Sequence, residues 1–230
     1  MLKGWTADSR VTSVFICFRS ILLDYDAIIY TTINLFLLKG MGSMLLVRCL
    51  LFTPANHPER FEKAKTLGAD GLIIDLEDAI SLAEKESARK TAIDYLKTRT
   101  QTPGFVQCLR INSIRTRAGL KDLSALCDQN VRPDILVLPK VESASEIEIM
   151  NELLAPNPIP LLPLIESAKG LYYAHDIALV KNVVGLVFGG ADFAANWRFS
   201  VFDSSVSGDQ NALSQIRTLG SGRRECDWID

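Results

Sequence analysis

From residue 45 onward the chain alternates between two hydrophobic patterns. Short runs that are apolar at nearly every position are followed by longer stretches in which apolar residues recur every three or four places. The continuous runs cover residues 45–53, closed by Pro54, then 71–76, 105–111, 135–138, 159–165 and 183–188. Runs this short and this uniformly apolar predict strands buried on both faces, the pattern of a parallel sheet covered by helices. The periodic stretches between them predict helices. One spans 57–67 and stops at Gly68; a second runs from about 83 to 97 with Ala88, Ala92 and Leu96 on its apolar face. Leu120, Leu123 and Leu126 line a third, Ser143 with Glu146 three residues on opens a fourth, and Ser167 caps a fifth that reaches about 177.

Six strand–helix alternations with short punctuation indicate repeated βα units and an α/β fold. A closed TIM (β/α)₈ barrel has eight such units in about 250 residues, so the pattern predicts a barrel truncated after about six. Residues 44–196 form the expected barrel core. Residues 1–43 are read as an N-terminal extension outside the native fold, with Met41 or Met44 as the functional start; the competing reading is an accessory hairpin or helix packed on the domain. Arg19, Asp24 and Asp26 interrupt the apolar stretch 11–38, which is too broken for a membrane span or a secretory leader. Residues 197–230 are polar and turn-rich at first and form a divergent or truncated C-terminal segment.

The chemistry sits where the apolar runs end. GLIIDLED, VQCLRIN, LLPLIE and VVGLVFGGAD each finish in charged residues, and in a parallel α/β sheet ligands bind outside the carboxyl ends of the strands. Period-two alternation puts Asp75 and Glu77 on one strand face and Arg110 on the face of Val106 and Cys108. Converging there, Glu77, Arg110, Glu166 and Asp192 would form a site for a divalent cation and an anionic substrate. The planar guanidinium of Arg110 suits a carboxylate held by two hydrogen bonds. Glu166 and Asp192 end neighbouring strands and could share an octahedral ion. Gly189 and Gly190 would let substrate approach the backbone.

Composition narrows the candidates. With 25 Lys and Arg against 27 Asp and Glu, the formal net charge of −2 leaves no basic excess for nucleic acid or an anionic membrane surface, so small molecules and further copies of the chain remain as partners. The five cysteines are scattered and odd in number, which reads as reduced thiols in a cytoplasmic protein. Only two histidines, His57 and His175, are present, so a metal must be held mainly by carboxylates, which favours magnesium or manganese over zinc. Taken singly, each charged strand end is more simply a solvated rim or a structural ion pair. Asp70 and Asp78 suit turn flanks, Glu142 suits pairing with a helix, His57 opens the first helix, and His175 sits at a helix C-terminus, where the dipole favours it.

The run RCLLFTPANHPERFEKAKTLGADGLIIDLEDAI, followed in order by ARK, LRIN, LVLPKVES, PLIESAKGL and VFGGADF, resembles the HpcH/HpaI aldolase family, in its citrate lyase beta-subunit-like branch. The likeness extends from Arg48 to about Ala195. It implies a (β/α)₈ barrel and a Mg²⁺-dependent carbon–carbon lyase acting on a 3-hydroxyacyl thioester such as citryl-, malyl- or citramalyl-CoA, free or carrier-bound, in a homo-oligomer, often a trimer. By that resemblance Glu166 and Asp192 take the positions of the metal ligands and Arg110 that of the substrate-carboxylate binder. Glu77 and Asp78 match acidic residues beside the metal and its waters, and Arg48 and Lys140 match basic positions suited to the substrate or the thioester phosphates. The general acid/base has no counterpart in the motifs and stays unassigned. A thioester hydrolase using the same site and an inactive truncated relative are the alternatives.

Overall fold

The structure, a computed structural model, describes residues 15–17, 20–23, 28–38, 45–190 and 192–193. Expectations for Cys17 and Cys226 side chains and for the segment 197–230 fall outside the described residues. Six strands form the centre of the sheet: β4 (Leu45–Pro54), β5 (Gly71–Asp75), β6 (Val106–Arg110), β7 (Ile135–Leu138), β8 (Leu161–Ile165) and β9 (Leu186–Phe188). Each pairs in parallel with the next, so spatial order follows chain order and the sheet curls into a half-barrel. Three N-terminal strands, β1 (Phe15–Cys17), β2 (Ser20–Leu23) and β3 (Ile28–Leu38), complete the order β1-β9-β8-β7-β6-β5-β4-β3-β2. β1 pairs in parallel with β9, and β3 pairs antiparallel with both β4 and β2.

Both faces of the parallel strands are buried, which is why they read as continuous apolar runs. Leu72, Ile74, Leu109, Leu136, Leu138, Leu161, Ile165 and Leu186 pack beneath the helices. Ile73, Val106, Cys108, Ile135, Val137, Leu162, Leu164 and Val187 form a second cluster on the opposite face. The helices are α1 (Lys63–Thr66), α2 (Lys85–Thr98), α3 (Arg117–Asp128), α4 (Ala144–Leu153), α5 (Ala168–Tyr172) and α6 (Ala174–Leu179).

The strand–helix order agrees with the periodicity, and three details differ. The first helix is split into a 3₁₀ turn, Pro58–Arg60, and the short α1, because proline restricts the entry and Gly68 at φ 76° ends the run. The fifth helix breaks at Tyr173 into α5 and α6, so His175 lies in the first turn of α6, where the dipole opposes a cation. Leu120 is exposed, and the buried stripe of α3 runs through Gly119, Asp122, Leu123 and Leu126.

Candidate active site

The registers set the site. Asp75 pairs with Arg110 across β5 and β6, and both follow lumen-side apolar residues, Ile73 and Cys108. On β8 the same alternation leads from Leu162 and Leu164 to Glu166, the residue after the strand. Charged groups therefore stand together at the carboxyl ends of an apolar trough, all of them on its inner side.

Arg110 is buried and already partnered. Its Nε and Nη2 donate to the two oxygens of Asp75, each at 2.7 Å, the bidentate geometry that a guanidinium offers a carboxylate. The ring of Phe52 covers it, 5.0 Å from the guanidinium carbon. Burial would lower its pKa, but the hydrogen bond and charge of Asp75, with Glu77 and Glu166 nearby, raise it further. Asp75 also accepts the N–H groups of Glu77 (2.8 Å) and Ala79 (3.4 Å). It thus orients Arg110 and ties down the loop that carries Glu77. Two of the five guanidinium N–H groups go to Asp75, leaving Nη1 and one Nη2 hydrogen to reach a ligand.

Glu77 lies between two cations. Its Oε1 accepts from Lys140 Nζ, and its Oε2 lies 3.0 Å from Arg110 Nη1. That approach is ionic and off the N–H direction, so Glu77 Oε2 is buried and accepts no hydrogen bond among the described residues. Burial raises the Glu77 pKa against the pull of Arg110 and Lys140. Asp78 is exposed and shares the Lys140 ammonium at 3.2 Å; burial opposes its ionisation, but Lys140 and Arg110 prevail and its pKa is lowered. Burial likewise works against the charge on Lys140, and Glu77 and Asp78 outweigh it.

Glu166 is buried, and its Oε2 accepts the backbone N–H of Lys140 at 2.9 Å. Burial and the charges of Glu77 and Asp192 push its pKa up to about 7, against the pull of Arg110. Lys140 holds a left-handed backbone, φ 55°, unusual for a residue with a side chain. Arg115 secures that conformation by donating to the Lys140 carbonyl. Gly189 has a different role from the one its sequence suggested. A Cβ there would lie 2.5 Å from Glu166 Cγ and 2.8 Å from Oε1, so the space opened by the glycine is filled by the Glu166 carboxylate rather than by substrate. Asp192 follows in a helical turn, half-buried, within Coulombic range of Glu166.

Five carboxylates, Asp75, Glu77, Asp78, Glu166 and Asp192, thus face three cations, Arg110, Lys140 and Lys85, each linked to the next by contact or charge. The negative excess, the elevated Glu166 and the undonated Glu77 oxygen fit a divalent cation. Among the described residues no three His, Cys, Asp or Glu side chains form a metal cage. An ion held by Glu166 and Asp192 would keep several waters, the habit of Mg²⁺.

A family model described as HpcH/HpaI aldolase/citrate lyase matches residues 48–220. The chain belongs to this family. It is 32% identical over 150 residues to a (3S)-malyl-CoA thioesterase of Cereibacter sphaeroides, covering 64% of this chain and 50% of the relative. It is 31% identical over 166 residues to the human mitochondrial citramalyl-CoA lyase, with 65% and 48% covered. The chain therefore spans about half the length of these curated relatives. Among solved structures it is similar to CitE of Mycobacterium tuberculosis in complex with magnesium, acetoacetate and coenzyme A, at TM-score 0.59 and 33% identity, covering 75% of this chain and 60% of that one.

Within this family fold, the structure brings Glu77, Asp78, Arg110, Lys140, Glu166 and Asp192 to one mouth. Arg48 lies on β4, and its side chain is outside the described residues. Lys140, expected at substrate, has its ammonium on Glu77 and Asp78. Glu142 pairs with Arg115 and Lys169 and accepts from Ser167, tying three successive loops together. His57 contacts Glu59 beside the 3₁₀ turn, away from this cluster of residues in the chain. Two contributors take parts that the sequence did not assign them. Asp75 is the anchor of Arg110, and Lys85 caps the end of β5. Lys85 and Arg89 share a stripe with Ala92 and Leu96, so charged residues on an apolar helical face were the available signal.

Proposed function

We propose that residues 44–196 carry the site of a Mg²⁺-dependent carbon–carbon lyase for a 3-hydroxyacyl thioester of the citryl-, malyl- or citramalyl-CoA type. The observation that carries this reading is the mixed cluster of Glu77, Arg110, Glu166 and Asp192 at the ends of parallel strands. Glu166 and Asp192 would hold the ion, with Mn²⁺ an acceptable substitute, and Glu77 and Asp78 would accept hydrogen bonds from its waters. When bound, the metal supplies a Lewis acid that polarises the hydroxyl or keto oxygen of the substrate.

The protein's own groups do the rest. The N–H donors of Arg110 that Asp75 does not use would grip the substrate carboxylate, and Asp75 and Phe52 keep the guanidinium from turning away. Such fixed orientation aligns the bond between the carbon bearing the hydroxyl and the thioester α-carbon for cleavage. Arg48 and Lys140 are the basic groups assigned to substrate or thioester phosphates. The general acid/base is not assigned to any described side chain. A family-type homo-oligomer, a trimer by resemblance, is part of the proposal. The free thiols of Cys108 and Cys127 support a reducing, cytoplasmic setting. No helix among the described residues is long and apolar enough to cross a membrane.

A second reading, hydrolysis of the thioester at the same site, is favoured by the likeness to a malyl-CoA thioesterase. Product analysis with malyl-CoA and Mg²⁺ separates the two. The lyase releases glyoxylate and acetyl-CoA; the hydrolase releases malate and free CoA. Absence of both product pairs across the three acyl types, in protein shown to be folded, would sink the proposal.

A further inference from the structure

Lys85, at the start of α2, turns its ammonium toward the end of β5 and donates to the carbonyl oxygens of Leu76 at 2.7 Å and Glu77 at 2.5 Å. It sits on peptide oxygens, although Asp75, Asp122, Glu77 and Asp78 all lie within Coulombic range. Each of these carbonyls has a second donor. Asn112 Nδ2 reaches Leu76 O at 3.0 Å, and the Ile80 N–H reaches Glu77 O at 3.0 Å. With the Glu77 N–H on Asp75, both carbonyls flanking Glu77 and its own N–H are occupied.

One helical turn on, Arg89 is buried and donates through Nε to Asp122 at 2.7 Å. The other Asp122 oxygen accepts both the backbone N–H and the Nδ2 of Asn112, at 2.9 and 2.7 Å. A continuous hydrogen-bonded path therefore runs from α2 through the end of β6 to the peptide bearing Glu77. A lysine is a costly cap here, because burial lowers its pKa. Neutral donors could cap carbonyls equally well; what the ammonium adds is a fixed positive charge behind the carboxylates.

We propose that Lys85 is a positioning residue of the active site, its ammonium holding the Leu76–Glu77 peptides so that the Glu77 carboxylate stays between Arg110 and Lys140. Only the kinetic arm of its test rests on the lyase reading above. Lys85→Met keeps the length of the stem and removes the donor, whereas Lys85→Arg keeps charge and donors.

Hydrogen exchange of the segment 75–84 is measured in the parent and both variants, together with carbon–carbon cleavage of the acyl thioester and binding of Mn²⁺ alone. In Lys85→Met, exchange in that segment rises about 10-fold or more while β8 and α4 stay protected, and kcat falls about 10–100-fold with KM within a few-fold of the parent. Mn²⁺ affinity stays within a few-fold, since Glu166 and Asp192 sit on other elements, and Lys85→Arg recovers most of the protection and of kcat. Unchanged exchange and turnover in Lys85→Met overturn the proposal. So does loss of protection throughout the molecule, or an arginine variant no better than methionine. If the parent shows no carbon–carbon cleavage of the acyl thioester, the lyase reading fails, and local exchange still decides the role of Lys85.

Discussion

At the scale of single residues, the site is governed by how few charges are left free. Arg110 was legible as a lone basic group ending an apolar run, but its partner Asp75 was visible only as a same-face neighbour of Glu77. Their pairing depends on the β5–β6 register, which residue types alone do not set. Arg110→Lys keeps the charge and loses the two-point contact, so KM for the thioester should rise and kcat fall, together reducing kcat/KM on the order of 10²-fold in steady-state assays. Glu166→Gln should abolish saturable Mn²⁺ binding in a titration of the folded protein. Gly189→Ala should weaken the same binding without touching any ligand, because its methyl group must displace the Glu166 carboxylate. Wild-type metal affinity in that variant would show that Glu166 is not the ligand.

Glu166 also gives a pH dependence. Its folded-state pKa of about 7 lies above the ordinary value of 4.5, so between those pH values the folded protein binds the extra proton. The associated stability is fully present below about 4.5 and is lost as pH rises through 7, an effect of roughly 3 kcal/mol. Metal-free protein should therefore melt at a lower temperature at pH 8 than at pH 5 on this account. Mg²⁺ should restore the melting temperature at pH 8 and have little effect at pH 5, because it competes with the proton for the same carboxylate.

At the scale of elements, strands were more legible than helix ends. A strand buried on both faces announces itself by uninterrupted apolar residues, as in 135–138. Helix limits depend on local backbone choices, such as the break at Tyr173. The carboxyl ends of β5 and β6 are joined to α2 and α3 by Arg89, Asp122 and Asn112, and the motifs ARK and LRIN contain two of these three without revealing that they meet. Asp122→Ala would leave a buried guanidinium and a buried amide short of partners, at a cost of about 3–5 kcal/mol in urea unfolding. A loss below about 1 kcal/mol would mean that Arg89 finds solvent in the folded state.

At the scale of the whole molecule, the six parallel strands have two edges, and unpaired edges invite association. β3 covers the β4 edge and β1 covers the β9 edge. We propose that β1 and β3, within the segment 1–43 expected from sequence to lie outside the fold, act as edge covers. Deleting that segment should give concentration-dependent association by light scattering, whereas a monodisperse 44–230 chain would restore the view of a dispensable extension.

By itself, the sequence determined the α/β class, the order of the six units, the family and the residues that gather at the strand ends. The class, the order and the site residues follow from period-two and period-3.6 burial and from charge placed where apolar runs stop, and the family from the likeness of ordered motifs such as LRIN, LVLPKVES and PLIESAKGL; all of these are local properties of the chain. Only the tertiary structure decided that Asp75 holds Arg110, that Gly189 makes room for Glu166, that Lys85 caps the peptide of Glu77, and that strands from the N-terminal segment lie on both sheet edges. Each of these joins residues on different elements, and such contacts arise from register and packing between segments rather than from the pattern within any one of them.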